Sequence, residues 1–245
     1  MKNEMSFSII IPAFNEENYL AGTLDHINQA IIYLRDKEDR SVEVIVVDNN
    51  SDDQTASLAR ASGATVLSES DHNISKVRNT GARAANGDYL IFIDADTRIP
   101  KNLLWRISQA ISDPACIGGS ADTDYQPVRS SLRLYLQLWR ILGKLTGMAQ
   151  GATQFCLRSI CVSLGGYDER LYMGEDVDFY WRLKRMAKEQ NKKVCFLSDL
   201  RVIPSCRRFN QWPVWKTLVW TNPIFILLLR RRRGPWCGWY RVPPR

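Results

Sequence analysis

Three short and almost wholly apolar runs recur in the first part of the chain. They are FSIII at 7–11, VEVIVV at 42–47 and YLIFI at 89–93. Such runs are typical of strands buried on both faces, as the strands of a parallel sheet are beneath layers of helix. Amphipathic helical patterns separate or follow them, at 16–35, 53–62, 75–85 and 101–112. This alternation predicts an α/β domain with a mostly parallel central sheet flanked by helices.

The second half of the chain is less regular. It predicts weaker strands at 153–157 and 194–198, and helices at 131–145 and 177–190. One further weak strand is predicted in the first half, at 64–68. We find no internal repeat and no linker-like stretch. We therefore expect one domain over residues 1–205, followed by a basic, tryptophan-rich appendage over residues 206–245.

The net charge of +7 is spread unevenly along the 245 residues. The stretch between Asp124 and Asp168 contains five basic residues and no acid, and the chain after Asp199 contains ten basic residues and no acid. The rest of the chain is acidic. An acidic body with two basic segments is thus the pattern that any function has to accommodate.

Polar side chains follow the three apolar runs, at the point where each predicted strand ends. Asn15 and Glu16 follow the first, Asp48 the second, and Asp94 and Asp96 the third. Ligands of parallel sheets bind at this carboxyl edge. Carboxylates there suit Mg²⁺ or Mn²⁺, whose remaining positions go to water and phosphates. The alternative is that these acids cap the next helix, but their convergence favours a metal site.

Three further groups have two interpretations each. Arg78, near the start of a predicted helix, suits a phosphate or a nucleobase, and a solvated helix face is an equal alternative. The acid pair Glu175–Asp176 suits either a general base or complementation of a helix dipole. For Arg207 and Arg208 a solvated pair is favoured over a clamp on a diphosphate.

Four motifs in order give the chain a family resemblance. They are IIPAFNEE at 10–17, VIVVDNNSDDQT at 44–55, VRNTGARAANGDYLIFIDADT at 77–97 and GGYDERLYMGEDVDFYWRL at 165–183. Together they resemble the signatures of family 2 glycosyltransferases with the GT-A fold, over about residues 6–200. The resemblance implies transfer of a sugar from a nucleotide diphosphate donor to an acceptor hydroxyl, with inversion at the anomeric carbon.

The resemblance also implies a role for each matching residue. Those that would border the donor are Pro12, Ala13, Asn15, Glu16, Asp48, Arg78 and Asp94. Asp96, with Asp94 beside it, would hold the metal, and Asp176 would be the general base with Glu175 alongside.

Two departures from the family pattern concern the donor and the metal. Asp48 is followed by Asn49 and Asn50 rather than by an Asp/Gly-rich continuation. No histidine follows His72, whereas some relatives use a late histidine as a metal ligand. We therefore expect the metal to rest mostly on Asp96 and the donor, and to bind weakly without nucleotide.

The basic segments at 131–145 and 211–233 combine apolar faces, aromatic residues and cations. This composition suits a helix lying in a membrane interface, and the alternative is packing on the domain. Packing is favoured for the first segment and membrane-surface attachment for the second. The longest apolar stretch, at 218–229, is too short to span a bilayer, and no secretory signal is recognised.

The leading hypothesis is therefore a cytoplasmic glycosyltransferase, peripheral on the inner face of the cell membrane, that acts on a lipid-linked or other glycan acceptor. A soluble glycosyltransferase with no membrane role is the second enzyme hypothesis. A non-catalytic nucleotide-sugar-binding module is the alternative from another class, and a nucleotidyltransferase is weaker because it leaves Glu175 and Asp176 without a role. No nucleic-acid partner is expected.

Overall fold

The computed structural model describes residues 5–149 and 151–236. The strands are β1 (Phe7–Ala13), β2 (Val42–Asp48), β3 (Thr65–Ser68), β4 (Tyr89–Ile93), β5 (Thr97–Arg98), β6 (Cys116–Thr123), β7 (Thr153–Leu157) and β8 (Lys193–Pro204). The helices of the domain body are α1 (Leu20–Arg35), α2 (Thr55–Ala61), α3 (Ile74–Ala84), α4 (Leu103–Ile111), α5 (Ser130–Thr146), α6 (Arg158–Ser163) and α7 (Glu175–Glu189). Those after β8 are α8 (Arg207–Gln211), α9 (Val214–Trp220), α10 (Pro223–Leu229) and α11 (Arg233–Trp236).

The strands form one sheet in the order β3-β2-β1-β4-β7-β6-β8-β5. β1 pairs in parallel with β2 and β4, and β6 pairs in parallel with β8. β7 runs antiparallel between β4 and β6, and the short β5 runs antiparallel to β8. The predicted α/β class with a mostly parallel sheet is confirmed.

Helices cover both faces of the sheet because β1 and β4 are buried along their whole length. On one face, α1 and α4 pack Ile27 and Ile107 against Ile9 of β1 in the larger core cluster. On the other face, α3 and α7 contribute Val77 and Phe179 to a second cluster. Every polar residue that follows these strands is thus carried on a rigid base.

One long strand, β6, was not predicted. Its sequence contains Gly118 and Gly119 in place of the β-branched residues that signal a strand. The glycines are needed because a Cβ on Gly119 would lie 2.1 Å from the carbonyl oxygen of Cys195 in β8. β8 also extends beyond the predicted 194–198, and α7 begins at Glu175, so that the acid pair lies inside its first turn.

The residues after β8 pack on the domain body. Trp220 makes edge-to-face contacts with Trp212 and Trp236, and the hydroxyl groups of Tyr135 and Thr221 are 2.7 Å apart. The remainder of the predicted appendage, 237–245, lies outside the described residues. Of the helices in the described ranges, none is both long and apolar enough to span a membrane.

Two helical glycines provide a matched test of how closely α3 packs on the sheet. A Cβ on Gly81 would lie 2.5 Å from Cγ2 of the buried Ile10, whereas a Cβ on Gly22 in α1 meets nothing within 4 Å. Gly81→Ala should lower the free energy of unfolding by roughly 1–3 kcal/mol through overpacking. Gly22→Ala should raise it by up to about 1 kcal/mol through helix propensity. Urea unfolding measures both, and equal effects would contradict the packing.

Candidate functional site

The loops after β1 and β2 hold each other in place at the carboxyl edge of the sheet. Asn15 adopts a left-handed backbone with φ 53°, and its amide N–H donates to Ser51 Oγ at 3.0 Å. The amide of Asp52 donates to Asn15 Oδ1 at 3.0 Å, and that of Glu16 donates to Thr55 Oγ1 at 2.7 Å. Asn15 is therefore used for fixing the loops, while Glu16 is presented to the cleft beside them.

An open cleft of about 180 Å³, which we call the polar cleft, lies at this edge. The predicted residues that line it are Pro12, Ala13, Glu16, Asp94, Asp96, Arg207 and Arg208. The structure thus brings together side chains from the ends of β1 and β4 and from the start of α8, although they are distant in sequence.

Asp48 lies just behind the polar cleft, and its neighbour Asn49 lines it. Asp48 Oδ2 accepts from the amide of Ser51 at 3.3 Å, while the buried Oδ1 has no hydrogen-bond partner among the described residues. The Asn49 side chain donates to the carbonyl oxygens of Glu69 and Asp71. Asn49 was not among the predicted site residues, although its position next to Asp48 indicated that it could line the cleft.

A cation already sits between two carboxylates in the polar cleft. Arg207 donates to Glu16 and lies 3.3 Å from Asp96, with its guanidinium 4.5 Å from the centre of the Tyr19 ring. The backbone brings these groups together, because the amide of Ser205 donates to the carbonyl oxygen of Asp96 at 3.0 Å.

Burial raises the pKa of Asp96 to about 7, with the Glu16 carboxylate adding to the rise and Arg207 opposing it. Burial likewise raises the pKa of Glu16 against the effect of Arg207, and Glu16 Oε2 has no hydrogen-bond partner in the described part of the chain. Hard oxygen ligands in a site that favours a cation fit Mn²⁺ or Mg²⁺.

The described residues contain no group of three or more His, Cys, Asp or Glu side chains that could hold a metal ion. For a metal held by Asp96 and Glu16, the remaining positions would have to come from water and a bound phosphate. Weak metal binding without nucleotide stays a prediction.

Arg78 links the loop after β4 to the first turn of α7. Its Nη2 donates to Asp94 at 2.8 Å and its Nη1 donates to Glu175 at 2.7 Å. The side chain is only 2% exposed and stacks 5.1 Å from the centre of the Tyr167 ring. The structure therefore places Arg78 behind the acids rather than on the cleft surface where a donor contact was predicted.

Asp176 is fixed by two backbone donors. Its Oδ2 accepts from the amide of Gly151 at 2.6 Å and its Oδ1 from the amide of Val177 at 2.8 Å. Burial raises the pKa of Asp176 to about 7, with Glu175 adding to the rise and Arg78 opposing it. A carboxyl group with a pKa near neutrality can accept and release a proton under physiological conditions.

Asp176 lines a second cleft of about 290 Å³, which we call the apolar cleft. Its walls come from the end of β6, from α5, from the start of α7 and from α9 and α10. Tyr125 and Phe209 line both clefts and contact each other edge to face at 5.4 Å. Neither residue was a candidate from the sequence. Tyr125 was missed because it follows β6, which was not predicted. Phe209 could have been found from its position two residues after Arg207.

Comparisons with known proteins find related sequences and folds. A family model described as Glycosyl transferase family 2 matches residues 8–163. The amylovoran biosynthesis glycosyltransferase AmsB of Erwinia amylovora is 36% identical over 109 residues, which are 41% of this chain and 34% of AmsB. An uncharacterized glycosyltransferase of Bacillus subtilis, YfnE, is 37% identical over 106 residues, covering 41% of this chain and 25% of YfnE. The chain thus spans about a quarter to a third of the length of these relatives.

Solved structures share the fold. The mannosyltransferase PcManGT of Pyrobaculum calidifontis, in complex with GDP-Man and Mn²⁺, superposes with a TM-score of 0.62 at 22% identity, covering 82% of this chain and 57% of that one. The glucosyl-3-phosphoglycerate synthase of Mycobacterium tuberculosis, in complex with Mn²⁺ and UDP-Glc, gives a TM-score of 0.61 at 21% identity, covering 94% and 80%. The predicted GT-A-type fold is confirmed.

The buried ion pairs of Arg78 give a stability prediction. Arg78→Met should lower the free energy of unfolding by roughly 3–5 kcal/mol, because Glu175 and Asp94 would lose their shared cation. Arg83→Met on the same helix is the control, since Arg83 is 63% exposed and pairs loosely with Glu169 at 3.6 Å. Its cost should stay below about 1 kcal/mol. Denaturant unfolding of both variants tests this, and similar costs would show that Arg78 is not a structural link.

Proposed function

The chain belongs to glycosyl transferase family 2, and we propose that it transfers a sugar from a nucleotide diphosphate donor to an acceptor hydroxyl with inversion at the anomeric carbon. The observation that carries the proposal is the junction of the two clefts at Tyr125 and Phe209. Asp96 stands on one side of the junction and Asp176 on the other. Inversion needs the leaving group and the nucleophile on opposite faces of the reacting carbon, and these carboxylates are placed to serve one each.

The donor is proposed to bind in the polar cleft. Asp48, with its unpartnered oxygen, would receive the base, and Asp94 would contact the ribose. Asp96 and Glu16 would hold Mn²⁺ or Mg²⁺ together with the donor phosphates. The metal, when bound, would neutralise charge that develops on the departing diphosphate. The Mn²⁺ and nucleotide sugars in the complexes of PcManGT and the M. tuberculosis synthase support this assignment.

Arg207 and Arg208 are proposed to contact the diphosphate. Arg207 neutralises Glu16 and Asp96, the carboxylates that would also hold the metal. Its guanidinium lies in the same cleft as Arg208 and could turn to the phosphate oxygens, whose geometry suits arginine. The pair would then stabilise the leaving group.

Asp176 is proposed to be the general base. The acceptor hydroxyl gives its proton to the Asp176 carboxylate while its oxygen bonds to the anomeric carbon. The bond from that carbon to the diphosphate oxygen breaks, and the electron pair leaves with the diphosphate. The amides of Gly151 and Val177 hold the carboxylate in place, and Glu175 and Arg78 brace the turn that carries it.

We further propose that the protein docks on an anionic membrane surface. Thirteen of the eighteen exposed large hydrophobic residues in the described ranges lie on α5, α9 and α10. Helix α10 has no buried residue at all, and the exposed Arg231, Arg232 and Arg233 follow it. Cations beside an exposed apolar surface suit anionic lipid headgroups. We call this surface the apolar face; its members are 134, 138, 141, 142 and 145 of α5, 214, 215, 218 and 219 of α9, and 224, 225, 227 and 228 of α10.

Replacing the base separates an enzyme from a non-catalytic sugar-nucleotide-binding module. Asp176→Asn should lower the rate of transfer, or of donor hydrolysis, at least 100-fold while leaving donor affinity unchanged. In the wild type, kcat/KM should rise with pH through about 7, because only the carboxylate form accepts a proton and the pKa of Asp176 is raised to about 7. Steady-state assays over pH 5–9 measure both effects, and an active Asp176→Asn enzyme would exclude this base.

Metal binding should depend on nucleotide. We expect Mn²⁺ alone to shift the unfolding temperature little. A panel of nucleoside diphosphates with Mn²⁺ should identify one that adds about 2.7 kcal/mol at 100 times its dissociation constant. Asp96→Asn should abolish the Mn²⁺ dependence and Arg208→Ala should weaken nucleotide binding. Tight Mn²⁺ binding without nucleotide would contradict the proposed site.

Vesicle binding tests the apolar face. Phe225→Glu combined with Leu228→Glu should reduce co-sedimentation with phosphatidylglycerol-containing vesicles at least tenfold. Ile32→Glu is the control, since Ile32 is 60% exposed on α1 and outside the face. Recovery of the wild type in the supernatant, or equal losses for both variants, would favour a transferase with no membrane role.

A further inference from the structure

The walls of the apolar cleft come in part from α5 and α10, the two helices that carry most of the apolar face. On α5 the exposed residues Leu134, Leu138, Ile141 and Leu145 follow helical spacing and form one outward stripe. Trp139 and Gly143 on the same helix line the cleft. Leu227 of α10 both lines the cleft and belongs to the apolar face, so the apolar face reaches the edge of the cleft.

The inner end of this surface lies next to the proposed base. Ile226 of α10 lines the cleft, and a Cβ on Gly174 would lie 3.2 Å from its Cγ2. Gly174 directly precedes Glu175 and Asp176 in α7. The end of α10 is also tied to this region, because the amide of Tyr172 donates to the carbonyl oxygen of Arg230 at 2.7 Å. An apolar chain between α5 and α10 would thus end near Asp176.

A cation with a weak partner stands at the same place. Arg230 lines the cleft and lies 3.7 Å from Asp178, while Asp178 is already bonded to Arg182 at 2.8 Å. Arg230 can therefore turn to another anion while Asp178 keeps Arg182. An anionic group in the cleft would find a charge partner beside its apolar walls.

We propose that the acceptor is an anionic amphiphile taken from the membrane. Its apolar chain lies in the apolar cleft between α5 and α10, its phosphate or similar anionic head contacts Arg230, and the hydroxyl to be glycosylated reaches Asp176. The inference rests on the proposed transferase function and specifies its acceptor class.

The walls of the cleft favour this occupant over a free sugar. Its lining is mostly apolar, and the polar members Asp122, Arg140 and Lys144 already pair with one another. The apolar members are Leu136, Trp139, Phe196, Trp220, Ile226 and Leu227. Sugar hydroxyls against such walls would lose hydrogen bonds to water without replacement, which costs free energy for each unpaired group. An alkyl or isoprenoid chain gains free energy from the same contact.

Isothermal titration calorimetry with dodecyl phosphate, below its micelle-forming concentration, tests the proposal on the full chain. The wild type should bind it at least tenfold tighter than butyl phosphate, whose chain is short, and at least tenfold tighter than dodecyl maltoside, which has no anionic group. Ile226→Trp fills the cleft and should weaken binding at least tenfold. Leu228→Trp adds the same bulk two residues away on the exposed surface, and should leave the affinity unchanged.

Arg230→Gln alters no core residue and provides an independent variant should Ile226→Trp fold poorly; it should weaken dodecyl phosphate binding about fivefold or more and leave dodecyl maltoside unaffected. Equal affinities for Ile226→Trp and Leu228→Trp, or no effect of Arg230→Gln, would overturn the proposal by showing adsorption to the outer surface. Nucleoside diphosphate binding is measured on the same preparations. Absence of this binding in the wild type would count against the transferase. Absence of dodecyl phosphate binding alone would count against the acceptor class.

Discussion

The geometry of the site depends on one buried cation. Arg78 donates to Asp94 after β4 and to Glu175 at the start of α7. These carboxylates belong to opposite sides of the proposed reaction, since Asp94 faces the polar cleft and Glu175 precedes Asp176. A shared partner in a buried position ties their separation to the packing of α3 on the sheet. The distance between donor and acceptor groups is thus set by the core rather than by mobile loops.

The parallel half of the sheet could be predicted from the sequence because its buried strands consist of continuous apolar runs. β1 and β4 are buried throughout, and all of their residues except Ser8 are apolar. β6 is just as buried, but atoms of the neighbouring strands approach it closely. Gly118 and Gly119 therefore stand where β-branched residues would have indicated a strand. Its existence depends on contacts with β7 and β8, which lie far along the chain. Local patterns do not encode such pairing.

The same distinction applies to the site. The acids at strand ends could be located from the sequence, because the carboxyl ends of parallel strands all lie at the same edge of the sheet. The partners of those acids could not. Arg207 meets Glu16 across 191 residues, and Arg78 meets Glu175 across 97. From the sequence, Arg78 was expected at the donor, and a solvated pair was favoured for Arg207 and Arg208. The structure instead shows Arg78 and Arg207 each neutralising carboxylates. Pairing of charges is a property of the folded chain, and a motif records only residue type.

In the C-terminal segment, packing on the domain is compatible with the proposed membrane attachment. The two are exclusive alternatives only for a helix with a single apolar face. Trp212, Trp220 and Trp236 join the inner side of the segment to one another, while Ile224 and Leu228 are exposed on the outer side. Burying one side fixes the orientation of the other. The proposed membrane-binding surface, held in this way, would present the mouth of the apolar cleft to lipid, which a flexible tail could not do.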